Sequence, residues 1–434
     1  MTSVAPSCAR TRPMTQPDAD AARTMVLVNC IVTGFWALSN IYGSIVVRRL
    51  RLKAMKLDPE LCSLYLAAHR SLVWCAIKVL ALMVAATVLL HRAFVDPTFT
   101  AHDIPLTTAS ESASINFCEE DFAHSPIAEP VNTASSLATY PLLALFGLFG
   151  PAAHMAPRHV VSHVALFVVG IGSAALHTFL TRTAQSGDEL PMLWWAVIMA
   201  FQAFDTTLGA IGSAAHRSVV LVPCFAAGTL VATGVYLGGT SNFLLFFFMF
   251  AFSGTCIGIF IPWIVLRHDW EASHGGRGLA VNAYVLLPLA ISIGWCMIPA
   301  CWLWMAELVL CDSMAQKHLG ATAFIWTRLV HPGWHSLSAI TAWLISQIMV
   351  ATAAMVQGDG RSVPAIRSMA GVPFVAFIER PTTPSVVGSG APRSHRSSSP
   401  SKRAARSSPA PRSRSPRDPW HRRPHRGQRS HSKT

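Results

Sequence analysis

At 434 residues, 52% hydrophobic and only 13% charged, the chain falls outside the ordinary soluble classes. Its apolar residues gather in runs long enough to cross a bilayer, which takes about 20 residues. The formal net charge of +13 says little about the body of the protein, because from Thr383 onward 13 Lys and Arg stand against the single acid Asp418. The remainder is close to neutral. A basic tail tethered to a membrane argues against nucleic acid as a partner.

In chain order, the apolar runs predict nine helices, at 25–47, 71–91, 133–151, 159–180, 190–210, 217–237, 242–266, 279–304 and 334–357. The first run is long for a signal peptide and ends at Val46-Val47-Arg48-Arg49 without a small-residue cleavage site. Basic residues favour the cytosolic side of short loops, so Arg48, Arg49, Arg51, Lys53 and Lys56 place that turn in the cytosol. Residues 94–132 then lie on the far side, and seven further spans return the tail to the cytosol. The Ser, Pro and Arg of the tail cannot offset the entropy of ordering. The expected fold is an all-α membrane protein: a seven-transmembrane-helix bundle (111–358), an N-terminal extension (1–110) with one or two transmembrane helices forming a hairpin, and a disordered basic tail (359–434).

Several polar residues stand where a lipid-embedded helix should have none. Ser173-x3-His177, then Asp188, then His331-x3-His335 interrupt apolar segments, and ionisable groups at that depth usually face a bundle interior and mark function. Residues four apart share a helix face. Three neutral imidazoles with an open fourth position are a common catalytic zinc arrangement. The topology brings the ends carrying His177, Asp188 and His331 to one side of the membrane, beside the acidic segment 116–129. Each patch also has a plainer explanation. His331 and His335 flank an interfacial tryptophan, Trp334; His177 sits among small packing residues. Asp188 and Glu189 suit the first turn of a helix, and Ser173 can bond its own backbone. A carboxylate at Asp188 can also take a proton from water and return it to a leaving amine, while Ser173 can donate to an oxyanion. Asn116 to Asp121, with Glu129, concentrates the hard oxygen ligands that calcium prefers, though without the EF-hand spacing. Most of the ten cysteines, such as Cys30, Cys224, Cys256 and Cys296, lie inside apolar runs and read as soft core residues. Cys118 and Cys311 lie just outside, in acid-containing stretches.

Taken together, Phe117-Cys118-Glu119, Ala128-Glu129-Pro130-Val131-Asn132-Thr133, Gly172-Ser173 with His177, Asp188-Glu189-Leu190-Pro191-Met192, and His331 with Trp334-His335 resemble the alkaline ceramidase family. The resemblance runs from about residue 115 to 357. It implies a seven-helix membrane amidase that cuts ceramide into a sphingoid base and a fatty acid, resident in the endoplasmic reticulum or Golgi, needing no obligatory protein partner. It further implies zinc on His177, His331 and His335, Asp188 as proton shuttle, Ser173 as oxyanion donor and Trp334 lining the site. Calcium would be held by Asn116, the Phe117 carbonyl, Glu119, Asp121 and Glu129. A disulfide between Cys118 and Cys311 is implied as well. Asn116-Phe117 departs from the family's Asp-Trp, the spacing from Asp121 to Glu129 is one residue short, and Phe243–Phe250 offers no match for a fifth-helix tyrosine. Three other readings remain open: a receptor-like relative similar to the progesterone and adiponectin receptors, a remodelling factor for glycolipid anchors, and a transporter using the histidines as a proton relay.

Overall fold

A segment in hydrocarbon must satisfy its own backbone hydrogen bonds, and a computed structural model of the chain is accordingly mostly helical. It describes residues 44–68, 72–95, 125–150, 157–209, 214–238, 276–315, 329–357 and 362–379, with scattered positions in 34–42 and 113–121. The expected span at 242–266, much of the one at 25–47 and the whole stretch from Thr382 lie outside the described residues.

Helical residues 44–57 lead into α1 (Pro59–Ala68) and α2 (Leu72–Phe94). The bundle continues through α3 (Pro130–Phe149), α4 (Pro157–Phe179), α5 (Arg182–Gly209) and α6 (Ala214–Gly238). A short α7 (Gly276–Val281) passes through a π-helical turn (Asn282–Leu286) into α8 (Leu287–Ala315), and α9 (Val330–Gln357) follows. Among the described residues, five stretches are long and apolar enough to cross a membrane: Ile77–Phe94, Pro130–Phe149, Arg158–Phe179, Gly278–Glu307 and Val330–Met355. Helix α3 packs on α4, α4 on α5 and α8 on α9, with α9 also against α3 and α5.

The N-terminal extension is part of the same core. Ala54, Leu61, Cys62, Tyr65, Val79 and Met83 are buried with Leu143, Met199, Tyr284 and Trp343 in one apolar cluster. Where the π turn loosens the regular backbone pairing of its helix, Arg51 Nε donates to the Ala283 carbonyl at 3.1 Å. The guanidinium lies 4.9 Å above the Tyr284 ring, which stacks on Tyr65 at 5.3 Å.

The disordered tail expected from 359 needs correction, within a fold that is mostly helical as expected. Strands β1 (Ser362–Met369) and β2 (Val372–Glu379) form an antiparallel hairpin, pairing Ser362 with Glu379 through to Met369 with Val372. Ala370 and Gly371, at φ +50° and +89°, make its two-residue turn, a left-handed pair that matches strand twist. Val363, Ala365, Ile366, Val372, Phe374 and Val375 are buried. The hairpin packs against α9, α1 and α2. These apolar and β-branched residues lie ahead of the Arg-rich stretch, and the charge of that stretch hid them.

Candidate metal centre

The α4–α5 connection is only two residues long, Leu180 and Thr181, with Leu180 in the left-handed region at φ +47°. Thr181 Oγ1 accepts the Ala184 N–H at 3.2 Å and so caps α5. This tight turn returns the chain along itself and sets Asp188 beside the last turns of α4. Gly172 permits the close approach: a Cβ there would stand 1.9 Å from the Gly187 carbonyl oxygen. Ser173, immediately next, hydrogen-bonds Asp188. Both side chains are buried.

Helix α3 opens at Pro130, where a proline costs nothing because first-turn N–H groups have no partner within the helix. Two of those groups are taken by Glu119, whose Oε1 and Oε2 accept the N–H of Val131 and of Asn132, each at 2.8 Å. Glu129 turns inward instead. Its Oε2 meets His177 Nδ1 at 2.5 Å and accepts Asn132 Nδ2 at 3.1 Å, and its Oε1 accepts the Phe117 N–H at 3.3 Å.

Helix α9 brings the other two histidines, with Pro332 and Gly333 in its first turn as their residue types favour. His331 Nδ1 lies 2.6 Å from Glu307 Oε2 of α8. His335 Nδ1 lies 2.7 Å from Ser135 Oγ of α3. Each ring therefore has its Nδ1 engaged by an oxygen, and the two carboxylates fix the Nδ1–H form of His177 and His331. The ligating atoms of the three histidines lie within 4.8 Å of one another. His177 Nε2 and His331 Nε2 stand 3.2 Å apart. With both Nδ1 protons already committed, these two nitrogens face each other as bare lone pairs, a contact that calls for a cation between them. Three buried neutral imidazoles oriented by outer acceptors are the donor set that zinc takes. Among the described residues, this is the one group of His, Cys, Asp or Glu side chains that could share an ion.

Ser173 Oγ lies 3.4 Å from His335 Nε2 and accepts from Ser136 Oγ at 3.1 Å. Ser173 thus borders the histidines, and Asp188 lies against Ser173. Trp334 is buried and stacks on Trp304 with ring centroids 5.7 Å apart. Glu189 points away from the triad, accepting from Gln185 Nε2 at 2.8 Å and from the Tyr236 hydroxyl of α6.

The calcium expectation is not supported. Asn116 lies outside the described residues. Among the described residues, Glu119 is turned to backbone N–H groups of α3 and Glu129 to His177. Phe117 takes part through its ring, which lies 3.9 Å from His331 and 5.0 Å from His177 between centroids. The described residues of 113–121 and 125–129 form a strap beside the site, tied by Ala113 N–H to the Leu180 carbonyl at 2.8 Å and by Glu129 N–H to the His177 carbonyl at 2.9 Å. Cys118 is disulfide-bonded; the side chain of Cys311 lies outside the described residues.

Glu307, Ser135 and Ser136 are site residues that the sequence reading passed over. Glu307 had a usable signal, an acid inside the apolar run Trp304-Met305-Ala306-Glu307-Leu308. Two serines in a helix had none.

Residues 109–373, well over half of the chain, match the model of the ceramidase family. Alkaline ceramidase 3 of Mus musculus is 24% identical over 240 residues, covering 54% of this chain and 81% of that protein. The alkaline ceramidase of Arabidopsis thaliana is 35% identical over 85 residues, 19% of this chain and 33% of that protein. A Dictyostelium discoideum relative is 34% identical over 111 residues, 21% of this chain and 37% of its own length.

Proposed function

The chain belongs to the ceramidase family, and from that premise we propose that it is a membrane-embedded, zinc-dependent amidase that cleaves ceramide to a sphingoid base and a fatty acid. The observation that carries the reading is the convergence of His177, His331 and His335, each with its Nδ1 engaged, on a point bordered by Ser173 and Asp188. When bound by the three histidines, zinc would supply Lewis acidity to the amide carbonyl and make water more acidic.

The protein's own groups supply the rest. Asp188 takes a proton from the attacking water on its carboxylate and returns it to the departing sphingoid nitrogen. Ser173 Oγ donates to the carbonyl oxygen as negative charge develops there. Ser135 holds the His335 ring, and Trp334 with Trp304 walls the pocket. Both hydrocarbon tails of the substrate reach the site from the bilayer, between the helices of a seven-helix bundle. The strap stands on the lumenal side in the endoplasmic reticulum or Golgi, where an oxidising milieu suits the Cys118–Cys311 disulfide, and the basic tail is cytosolic.

Sphingoid base released from a panel of ceramides by the purified protein tests the reading, with zinc content measured in parallel. Release by the wild type that His335→Ala reduces to background, with loss of zinc, is the expected result. A wild type that keeps its zinc yet releases nothing from any ceramide would overturn the hydrolase reading and favour a receptor-like or glycolipid-remodelling role.

A further inference from the structure

Glu307 does two things at once. Its Oε2 lies 2.6 Å from His331 Nδ1, and its Oε1 accepts the Cys118 N–H at 3.0 Å. Glu307 is 1% exposed, so bulk solvent does not compete for either oxygen. On one side it holds a histidine of the metal centre. On the other it holds the strap, at the residue that carries the disulfide.

We propose that Glu307 is a positioning residue that makes closure of the strap and retention of the metal a single equilibrium, so that the Cys118 disulfide governs how tightly the site holds its ion. The proposal rests on the zinc reading of the three histidines. Only a carboxylate can accept at both ends; a glutamine in the same place would turn an NH2 group toward one of two donors. A cation on His331 Nε2 commits the proton to Nδ1, which is the form Glu307 Oε2 accepts. Glu307 favours that same Nδ1–H form on its own account, so the ion and the carboxylate reinforce one another's hold on the ring. In the other direction, the Cys118 amide anchors the carboxylate. Phe117, one residue earlier, rests its ring 3.9 Å from His331 and gives its N–H to Glu129, the carboxylate that holds His177. Consecutive strap amides are thus each wired through one carboxylate to one histidine. Coupling of this kind is reciprocal: what the disulfide does to metal affinity, the metal does to the stability of the closed strap.

The test uses the full chain in lipid nanodiscs, with the zinc dissociation constant read by competition against a chromogenic chelator. Wild type is measured oxidised, and again after a phosphine has reduced the disulfide and iodoacetamide has blocked the thiols. The reduction breaks one S–S bond and yields two thiols, the phosphine becoming its oxide with oxygen and protons from water. Zinc should bind about 10- to 100-fold more weakly after reduction, the range for losing a group that orients a metal ligand. Glu307→Gln should bind weakly in both states, so that the ratio between them falls to one. Glu307→Asp keeps two acceptor oxygens and should restore most of the ratio. Equal affinity in oxidised and reduced wild type, or Glu307→Gln binding zinc as the wild type does, overturns the proposal while leaving the zinc site standing. A wild type whose zinc binding His335→Ala does not alter overturns the zinc reading, and the proposal with it.

Discussion

The two ends of the α9 packing surface solve the same problem in opposite ways. At its start, His331 and His335 are buried against side chains from α8 and α3, and what those contacts leave over is a set of unshared nitrogen lone pairs. Further along, Trp343 and Gln347 are also buried, but one polar atom of each closes a backbone group of the hairpin. Trp343 Nε1 donates to the Pro373 carbonyl at 2.6 Å and Gln347 Oε1 accepts the Val375 N–H at 2.9 Å. Tyr65 of α1 donates to the Pro364 carbonyl at 3.0 Å in the same manner. Buried backbone groups need partners wherever they lie. One region uses side chains to finish the fold; the other uses them to withhold a few atoms from it. Facing acceptors without a donor between them distinguish the histidine end from the hairpin end.

Breaking the hairpin region should show that it supports stability and not chemistry. Trp343→Ala removes a fully buried ring and its bond to the hairpin, and should cost roughly 3 kcal/mol by the behaviour of large-to-small core changes. A thermal unfolding shift should report it, with zinc content at the wild-type level in the folded fraction. Loss of zinc from Trp343→Ala below its melting point would mean that the two regions are coupled after all. Gly172→Ala acts at the other end. Its Cβ would meet the Gly187 carbonyl oxygen at 1.9 Å, so α5 must shift, at a cost of about 1–3 kcal/mol. Because Ser173 and Asp188 flank this contact, sphingoid-base release should fall by more than the melting temperature alone accounts for. The smallest effect belongs to Arg158 and Asp205, which pair at 2.6 Å with side chains 22% and 16% exposed. Asp205→Asn should change stability by no more than about 1 kcal/mol and leave release and zinc content unchanged.

The same contrast explains what the sequence could and could not show. His177, His331, His335, Asp188 and Ser173 stood out because a polar group in an apolar run is costly enough to need a reason. That argument applied equally to Glu307 and was not carried that far. Ser135 and Ser136 stayed hidden because a hydroxyl in a helix can always bond the backbone one turn earlier. Glu119 and Glu129 were noticed for their charge, but the partners they have in the fold, the first turn of α3 and a histidine 48 residues away, depend on where the chain folds back. The hairpin was missed for a different reason. Its strands hold prolines at 364 and 373 and stand next to a strongly basic stretch, so composition averaged over the whole tail drowned two short apolar runs. The runs at 71–91, 133–151, 159–180, 217–237 and 334–357 match α2, α3, α4, α6 and α9 to within a few residues, but α5 begins well before its run, at Arg182, α8 continues past its run to Ala315, and α1 lay in no apolar run.

The separation of the histidines along the chain has a consequence for biosynthesis. His177 precedes His331 by 154 residues, which at ribosomal speeds of about 5–20 residues per second is a delay of roughly 8 to 30 s. Through that interval the early helices can already set Glu129 against His177 and Ser173 beside Asp188, while no ion site exists. The three-histidine group is thus the last part of the bundle to be completed, and a nascent chain arrested before α9 should insert and pack without it.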